Sequence, residues 1–160
     1  MSGKNEIIME FSSNSENESL ARTVISAFVA RLDPTLEELA DIKTAVSEAV
    51  TNAIIHGYEK NPGMVRMAAK IEDNVVSVEI SDTGAGIENL EKAMEPMYTT
   101  KPELDRSGMG FAFMEAFMDE VEVESKVGCG TCVTMKKRIG RGKGTTIRMK
   151  KTIYSAIHIS

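Results

Sequence analysis

The sequence has few cysteines, few histidines and no long hydrophobic run. Cys129 and Cys132 are too few for a disulfide framework, and we interpret their C-x-x-C spacing as incidental because a redox pair would begin a helix. The two histidines cannot form a metal cluster. No apolar stretch approaches the roughly 18 residues that span a bilayer, and no signal-peptide pattern begins the chain. These absences predict a cytoplasmic protein with no membrane partner.

Acidic residues are absent from the last part of the chain. Residues 125–160 contain nine lysines and arginines and no acid, whereas the whole chain has a net charge of −5. A basic segment can bind nucleic acid, but residues 126–151 lack interleaved aromatic residues and the remainder of the chain is strongly acidic. Basic residues such as Lys136 and Lys137 also suit the solvated face of edge strands. We therefore expect no direct binding to nucleic acid.

The length of 160 residues and the hydrophobic content of 42% are those of one ordinary domain with a buried core. Ser15 with Glu18, and Thr35 with Glu38, have the spacing of capping boxes at two helix starts. Periodicity predicts these elements in chain order: a strand at 6–11, helices at 15–32 and 35–56, strands at 64–71 and 74–81, a short helix and long loop within 90–110, a helix at 108–120 and a strand at 121–125.

One segment occurs twice near the end of the chain. Residues 128–137 and 142–151 are identical at six of ten positions. Two copies are too few for a solenoid. We interpret them as two similar strands joined by "RIGR" (138–141), forming a hairpin at the edge of the sheet.

An acid and an amide lie side by side on the second long helix. Glu48 and Asn52 are one turn apart and therefore share a face. The opposite face carries the apolar residues expected to be buried: Leu36, Leu39, Ile42, Val46, Val50 and Ala53. The pair thus faces a polar environment, which is solvent or a ligand.

Two Gly-x-Gly turns follow further along the chain. Asp82 comes at a strand end just before Gly84 and Gly86, and Gly108 and Gly110 lie at a helix start. Such turns let a backbone approach a ligand closely, and a helix N-terminus presents N–H groups to phosphate. Neither a P-loop nor a complete G-x-G-x-x-G motif is present. The order of the Glu48–Asn52 pair and the two glycine turns along the chain favours a nucleotide site that differs from both of these motifs.

The segments "EAVTNAIIHG", "DTGAGI", "TTKPE", "RSGMGF" and "GT" resemble the N, G1, lid, G2 and G3 boxes of the GHKL ATPase superfamily. Within it, residues 5–137 are similar to the sporulation anti-sigma factors, which are small serine kinases, and residues 138–160 form the duplicated strand and tail. The resemblance implies an α+β fold in a single domain spanning 1–160. This would be a two-layer sandwich of the Bergerat type, with a mixed, mostly antiparallel sheet covered on one face by helices and a mobile ATP lid.

The resemblance also implies that the chain binds ATP or ADP with Mg²⁺. Asn52 would hold the metal, Glu48 would be the general base and Asp82 would accept a hydrogen bond from the adenine amino group. Gly84 and Gly86 would let the nucleotide lie close. The lid and the second glycine turn would contact the phosphates through Thr99, Thr100, Lys101, Arg106, Ser107, Gly108, Met109 and Gly110.

The G3 threonine has two candidates because of the duplication. Thr131 lies closer to the preceding strand, as the spacing in the family requires, whereas Thr145 belongs to the copy whose "GTT" better matches the family wording. We favour Thr131 and keep Thr145 as the alternative.

The function implied by the resemblance is that of an anti-sigma factor that binds a sporulation sigma factor and phosphorylates a serine of an anti-anti-sigma protein. A homodimer and a partner contact at Arg22 are implied as well. One alternative is an ATP-dependent binding module without kinase activity. Another is the catalytic domain of a two-component histidine kinase, which would need a phospho-accepting histidine where this chain has only His56 and His158.

Overall fold

The computed structural model describes residues 3–58, 61–93 and 110–140, and the backbone of residues 151–157. The described residues form four α-helices, the first two of which continue into a further helical turn: α1 (Asn17–Val29) with a 3₁₀ turn (Ala30–Leu32), α2 (Leu36–Asn52) with a π-helical turn (Ala53–Gly57), α3 (Leu90–Ala93) and α4 (Gly110–Phe117). Six strands are formed: β1 (Asn5–Ser12), β2 (Met64–Glu72), β3 (Val75–Asp82), β4 (Glu120–Lys126), β5 (Gly130–Arg138) and β6 (Lys151–Ile157).

The strands form one sheet in the order β1-β2-β3-β5-β4-β6. All neighbouring pairs are antiparallel except β4 and β6, which are parallel. Buried and exposed residues alternate along β2, β3 and β4, because one face of the sheet packs on the helices and the other does not. The predicted fold class, a mostly antiparallel mixed sheet with helices on one face, is confirmed.

The hairpin between β2 and β3 has a two-residue turn made by Asp73 and Asn74. Both residues have positive φ, 50° and 64°, which Asp and Asn tolerate better than other residues with side chains. The predicted strands put this turn one residue too early, at residues 72 and 73. The local sequence pattern predicts the hairpin, but the register of its two strands depends on how they pair.

The two predicted capping boxes have different outcomes. At α2 the box is confirmed: Thr35 Oγ1 accepts from Glu38 N at 3.0 Å, and Glu38 Oε1 accepts from Thr35 N at 2.9 Å. At α1 the prediction is wrong, because the N-cap is Glu16 and makes no side-chain cap. Glu18 pairs with Arg22 instead and accepts a hydrogen bond from Ser47 Oγ of α2.

The inward face of α2 differs from the predicted stripe at its first residue. Leu36 is 86% exposed, whereas Glu38 and Ile42 are buried. Leu36 lies two residues before Glu38 and is therefore turned about 200° away from it around the helix axis. The later turns bury Ala45, Val46, Ala49, Val50 and Ala53, as the apolar pattern requires.

The predicted edge hairpin of the duplicated segment is wrong. The first copy forms β5, which is hydrogen-bonded to β3 on one side and to β4 on the other. A strand with two partners has no edge left for the second copy. Residues 142–150 of that copy lie outside the described residues, and its last residue, Lys151, begins β6 next to β4.

The expectation that Lys136 and Lys137 both lie on a solvated face is wrong for Lys137. Lys136 is exposed, but Lys137 is only 1% exposed and faces the helices. Neighbouring residues of a strand point to opposite faces, so only one of the two can be solvated. Among the helices of the described residues, none is long and apolar enough to cross a membrane.

Glu38 joins the start of α2 to the end of β5. Its second carboxylate oxygen accepts from Gly140 N at 3.1 Å, and the side chain is buried. We expect Glu38→Ala to lower the free energy of unfolding by about 2 kcal/mol, since two N–H groups lose their acceptor. Urea denaturation measures the change. Glu37→Ala, an exposed acid in the same turn, is the control, and equal losses in both variants would contradict the role of Glu38.

Candidate functional site

Glu48 and Asn52 lie on the face of α2 that receives α4. An ideal Cβ built on Gly110, the first residue of α4, would lie 3.0 Å from Asn52 Nδ2 and 3.4 Å from Glu48 Oε2. The backbone of α4 therefore begins in contact with both side chains, and a larger residue at this position would have to displace the amide. The structure brings together three of the predicted site residues: Glu48, Asn52 and Gly110.

This arrangement suits a charged phosphate ligand and a metal ion. The first N–H groups of a helix have no partner within the helix, and the dipole makes that end positive. The side chains beside it offer a carboxylate and an amide oxygen, which are the ligands that Mg²⁺ accepts. No cluster of three or more His, Cys, Asp or Glu residues suited to a metal is found in the part of the chain that the structure describes.

Immediately after Asn52, α2 changes into the π-helical turn Ala53–Gly57. Turns of this type inside helices are frequent at functional sites. This one brings Gly57 against Asp82: an ideal Cβ on Gly57 would lie 2.8 Å from Asp82 Oδ1. The same helix therefore connects the Glu48–Asn52 pair to the aspartate at the end of β3.

Asp82 is a half-buried acid with its acceptors partly satisfied. Its Oδ1 accepts from Gly84 N at 2.9 Å. Burial raises the pKa of the Asp82 carboxyl, and backbone hydrogen bonds from Gly84 and Thr131 offset only part of this rise. An ionised carboxylate held in a poorly solvated place is a strong acceptor for a ligand N–H group.

The glycine turn after Asp82 is held between two other loops. Ala85 N donates to Gly57 O at 2.9 Å, and Gly128 N donates to Ala85 O at 2.8 Å. A Cβ on Gly84 would collide with the carbonyl of Gly57, and Gly86 has a φ of 77°. The turn therefore follows a path that requires glycine at both predicted positions.

Ser125 is a site residue that the sequence analysis missed. It is 4% exposed, and its Oγ accepts from Ile87 N at 2.7 Å, donates to Gly130 O at 3.2 Å and lies 2.8 Å from Thr131 Oγ1. The hydrogen bond between Ser125 Oγ and Thr131 Oγ1 holds Thr131, whose backbone N–H donates to Asp82. Thr145 lies outside the described residues. A serine in an inward position of "VEVES", after Val121 and Val123, was the available signal.

Tyr58 is the second residue that was missed. Its hydroxyl accepts from Thr83 N at 2.9 Å and donates to Met64 O at 2.5 Å. It thereby holds the residue next to Asp82 against the start of β2. The sequence offers no pattern that would have indicated this role, because Thr83 lies 25 positions away from Tyr58 along the chain.

The remaining predicted residues either lie elsewhere in the fold or fall outside the described residues. Arg22 lies on α1, 43% exposed, with its guanidinium 3.7 Å from Glu18. Neither cysteine forms a disulfide, and burial, followed by the charge of Glu79, raises the pKa of the Cys132 thiol to about 11, which disfavours a reactive thiolate. The lid and G2 residues outside the described ranges are Thr99, Thr100, Lys101, Arg106, Ser107, Gly108 and Met109.

Comparison with known proteins adds independent information. The histidine kinase-like ATPase domain family matches residues 11–137. The anti-sigma F factor of Geobacillus thermodenitrificans is 57% identical over 141 residues, which are 88% of this chain and 97% of that protein. The anti-sigma F factor of Clostridium acetobutylicum is 57% identical over 135 residues, 84% of this chain and 94% of that protein.

A solved structure shares the fold. The crystal structure of the RsbU and RsbW domains of Rv1364c from Mycobacterium tuberculosis superposes with a TM-score of 0.63, covering 96% of this chain and 35% of that one at 20% identity. Since the identity is low, the likeness supports the fold alone. The family match and the curated relatives together cover most of the chain. The chain therefore belongs to the histidine kinase-like ATPase superfamily and, within it, to the family of anti-sigma F factors.

Proposed function

We propose that this chain is a Mg²⁺- and ATP-dependent protein serine kinase that also acts as an anti-sigma factor. The proposal is carried by the contact of Gly110 with Asn52 and Glu48, which places an amide oxygen, a carboxylate and a helix N-terminus at one point. A γ-phosphate, its metal and an attacking hydroxyl require these three groups side by side.

The phosphate end of the site is formed by α2 and α4. Asn52 would hold Mg²⁺ through its side-chain oxygen, and the N–H groups at the start of α4 would bind phosphate oxygens. When bound, Mg²⁺ neutralises charge on the phosphates. The remaining contacts are proposed for the lid and G2 residues: Thr99, Thr100, Lys101, Arg106, Ser107, Gly108 and Met109.

Glu48 would serve as the general base. As the serine oxygen of the substrate bonds to the γ-phosphorus, its proton passes to the Glu48 carboxylate, and the bond to the bridging oxygen of ADP breaks. Because both residues lie on one face of α2, the Glu48 carboxylate would lie beside the same phosphate whose metal Asn52 would hold. A non-catalytic binding module would not need a base at this position.

Asp82 and Thr131 would recognise the adenine base. The Asp82 carboxylate would accept a hydrogen bond from the exocyclic amino group of adenine. Guanine carries a carbonyl oxygen at the position of this amino group, and this oxygen and the Asp82 carboxylate, both acceptors, would repel each other. Thr131, fixed by its bond to Ser125, would offer its hydroxyl close by.

The partners are proposed from the names of the relatives and from the family resemblance. Anti-sigma F factors at 57% identity support a sporulation sigma factor as the partner, and the family implies an anti-anti-sigma protein as the serine substrate. A homodimer and a partner contact by the half-exposed Arg22 belong to the same proposal.

Glu48→Gln removes the base and leaves the shape of the site intact. We expect nucleotide affinity within about twofold of the parent and phosphoryl transfer reduced by about 10²- to 10⁴-fold. Transfer of label from γ-labelled ATP to a candidate anti-anti-sigma protein measures the rate, with Glu91→Gln on α3 as the control. Transfer at the parental rate would remove Glu48 from this role and favour the binding module.

Asn52→Ala removes the proposed metal ligand. We expect ATP affinity in the presence of Mg²⁺ to fall about tenfold or more, equivalent to at least about 1.4 kcal/mol, while affinity without Mg²⁺ changes little. Calorimetric titrations with and without the metal provide the comparison. An unchanged affinity under both conditions would show that Asn52 does not hold the metal.

Asp82→Asn separates nucleotide recognition from stability. Because the raised pKa means that the folded protein holds the proton more tightly than the unfolded chain, ionised Asp82 opposes folding, and this effect declines as the pH falls through the raised pKa. We expect the variant to be at least as stable as the parent where Asp82 is ionised. Its preference for ATP over GTP should fall about tenfold, or about 1.4 kcal/mol.

Competition binding with ATP and GTP, together with urea denaturation at several pH values, measures both effects. Asp33→Asn is the control, because Asp33 is an exposed acid in a left-handed conformation that asparagine also adopts. Equal binding of ATP and GTP by the parent chain would contradict the assignment of Asp82.

A further inference from the structure

A lysine is buried between β5 and two helices. Lys137 is 1% exposed, and its Nζ donates to the carbonyl oxygen of Phe117 at 2.8 Å and lies 3.5 Å from Asp41 Oδ2. Phe117 is the last residue of α4, and Asp41 lies on α2. One ammonium group therefore joins three elements that are distant along the chain.

The position itself is one that an apolar residue would normally occupy. Lys137 points to the same face of β5 as Met135 and Ile139, and both are buried. Removing an ammonium group from water is unfavourable, and well-packed apolar residues of similar volume often replace buried ion pairs without loss of stability. Stability alone therefore does not explain a lysine here.

The geometry gives a different reason for it. Asp41 and Glu48 are seven residues apart on α2, so they lie on one face with a rise of about 10 Å between them. Gly110 and Phe117 are also seven residues apart on α4, with the same rise of about 10 Å. Gly110 contacts Glu48 and Asn52, whereas Phe117 reaches Asp41 through Lys137.

Helix α4 thus runs antiparallel to α2 and is held at both ends. At its C-terminus, the positive charge of Lys137 lies against a carbonyl at the negative end of the helix dipole, which is a favourable arrangement. At its N-terminus, Gly110 lies close to Asn52 and Glu48. A shift of α4 along α2 would move its first N–H groups away from Glu48 and Asn52.

We propose that Lys137 is a positioning residue that locks α4 against α2 through Asp41 and the Phe117 carbonyl, and so sets where the N-terminus of α4 meets the phosphates. The inference rests on the proposed function for its consequence, since it concerns the same nucleotide site. Misplacement by about 1 Å at a reacting centre can reduce a rate by about 10²-fold. The lock acts through α4 and does not require Lys137 to touch the nucleotide.

The test uses the double variant Asp41→Leu/Lys137→Met in the full chain, which removes both charges and keeps the site apolar and filled. We expect cooperative thermal unfolding at or above the parental temperature. In the nucleotide-free protein, amide hydrogen exchange within α4 should accelerate at least tenfold, while exchange within α1 stays unchanged. Affinity for ATP with Mg²⁺ should fall about tenfold.

Two further variants keep the test decisive. Lys70→Met/Glu72→Gln removes a comparable lysine–acid pair, 3.7 Å apart on the helix-free side of the sheet, and should change neither exchange nor affinity. If the double variant does not fold, Asp41→Asn keeps an acceptor without the charge. It should fold, with amide exchange in α4 severalfold faster and ATP affinity severalfold lower than in the parent.

The outcomes separate this inference from the proposed function. Parental exchange in α4 together with parental ATP affinity, in a folded variant, would overturn the lock. Faster exchange in α4 with unchanged ATP affinity would overturn its role at the site. If the parent chain itself bound no ATP, the proposed function would fail, and the exchange measurement on nucleotide-free protein would still decide whether Lys137 positions α4.

Discussion

The close approach of α4 to α2 at Gly110 is the contact on which the site depends. It places the start of one helix against Asn52 and Glu48 of the other, and a Cβ at residue 110 would require the Asn52 amide to shift. Buried residues of α4, among them Phe111 and Met114, supply the apolar packing that holds the helix down. Packing and the glycine at residue 110 together therefore bring the start of α4 next to an acid–amide pair.

The proposed adenine end of the site follows another physical rule, because it holds an acid where its charge is disfavoured. Burial raises the pKa of Asp82, and the neighbouring backbone N–H groups compensate only in part. Sites that act on ligands often retain such local instability, since a fully satisfied acceptor has nothing left to offer. Ser125 and Tyr58 hold the loops around Asp82 through side-chain hydrogen bonds.

Helix α2 connects the two ends. Its regular part presents Asp41, Glu48 and Asn52 on one face, and the π-helical turn that follows directs Gly57 to Asp82. Lys137 attaches the opposite end of α4 to the same helix face. The nucleotide site that we propose is thus built on one helix, and the proposed influence of Lys137 on the phosphates follows from this arrangement.

The sequence by itself determined the elements and their order, because helical and alternating periods, the Thr35–Glu38 capping box and the glycine spacings are local properties of the chain. It also indicated Glu48, Asn52, Asp82 and Gly110 as site residues, whose roles stay predictions. Only the tertiary structure placed β5 inside the sheet, paired β6 with β4 and buried Lys137 against Asp41, 96 positions away. Strand neighbours and long-range polar contacts depend on how distant segments pack, and no local pattern records that.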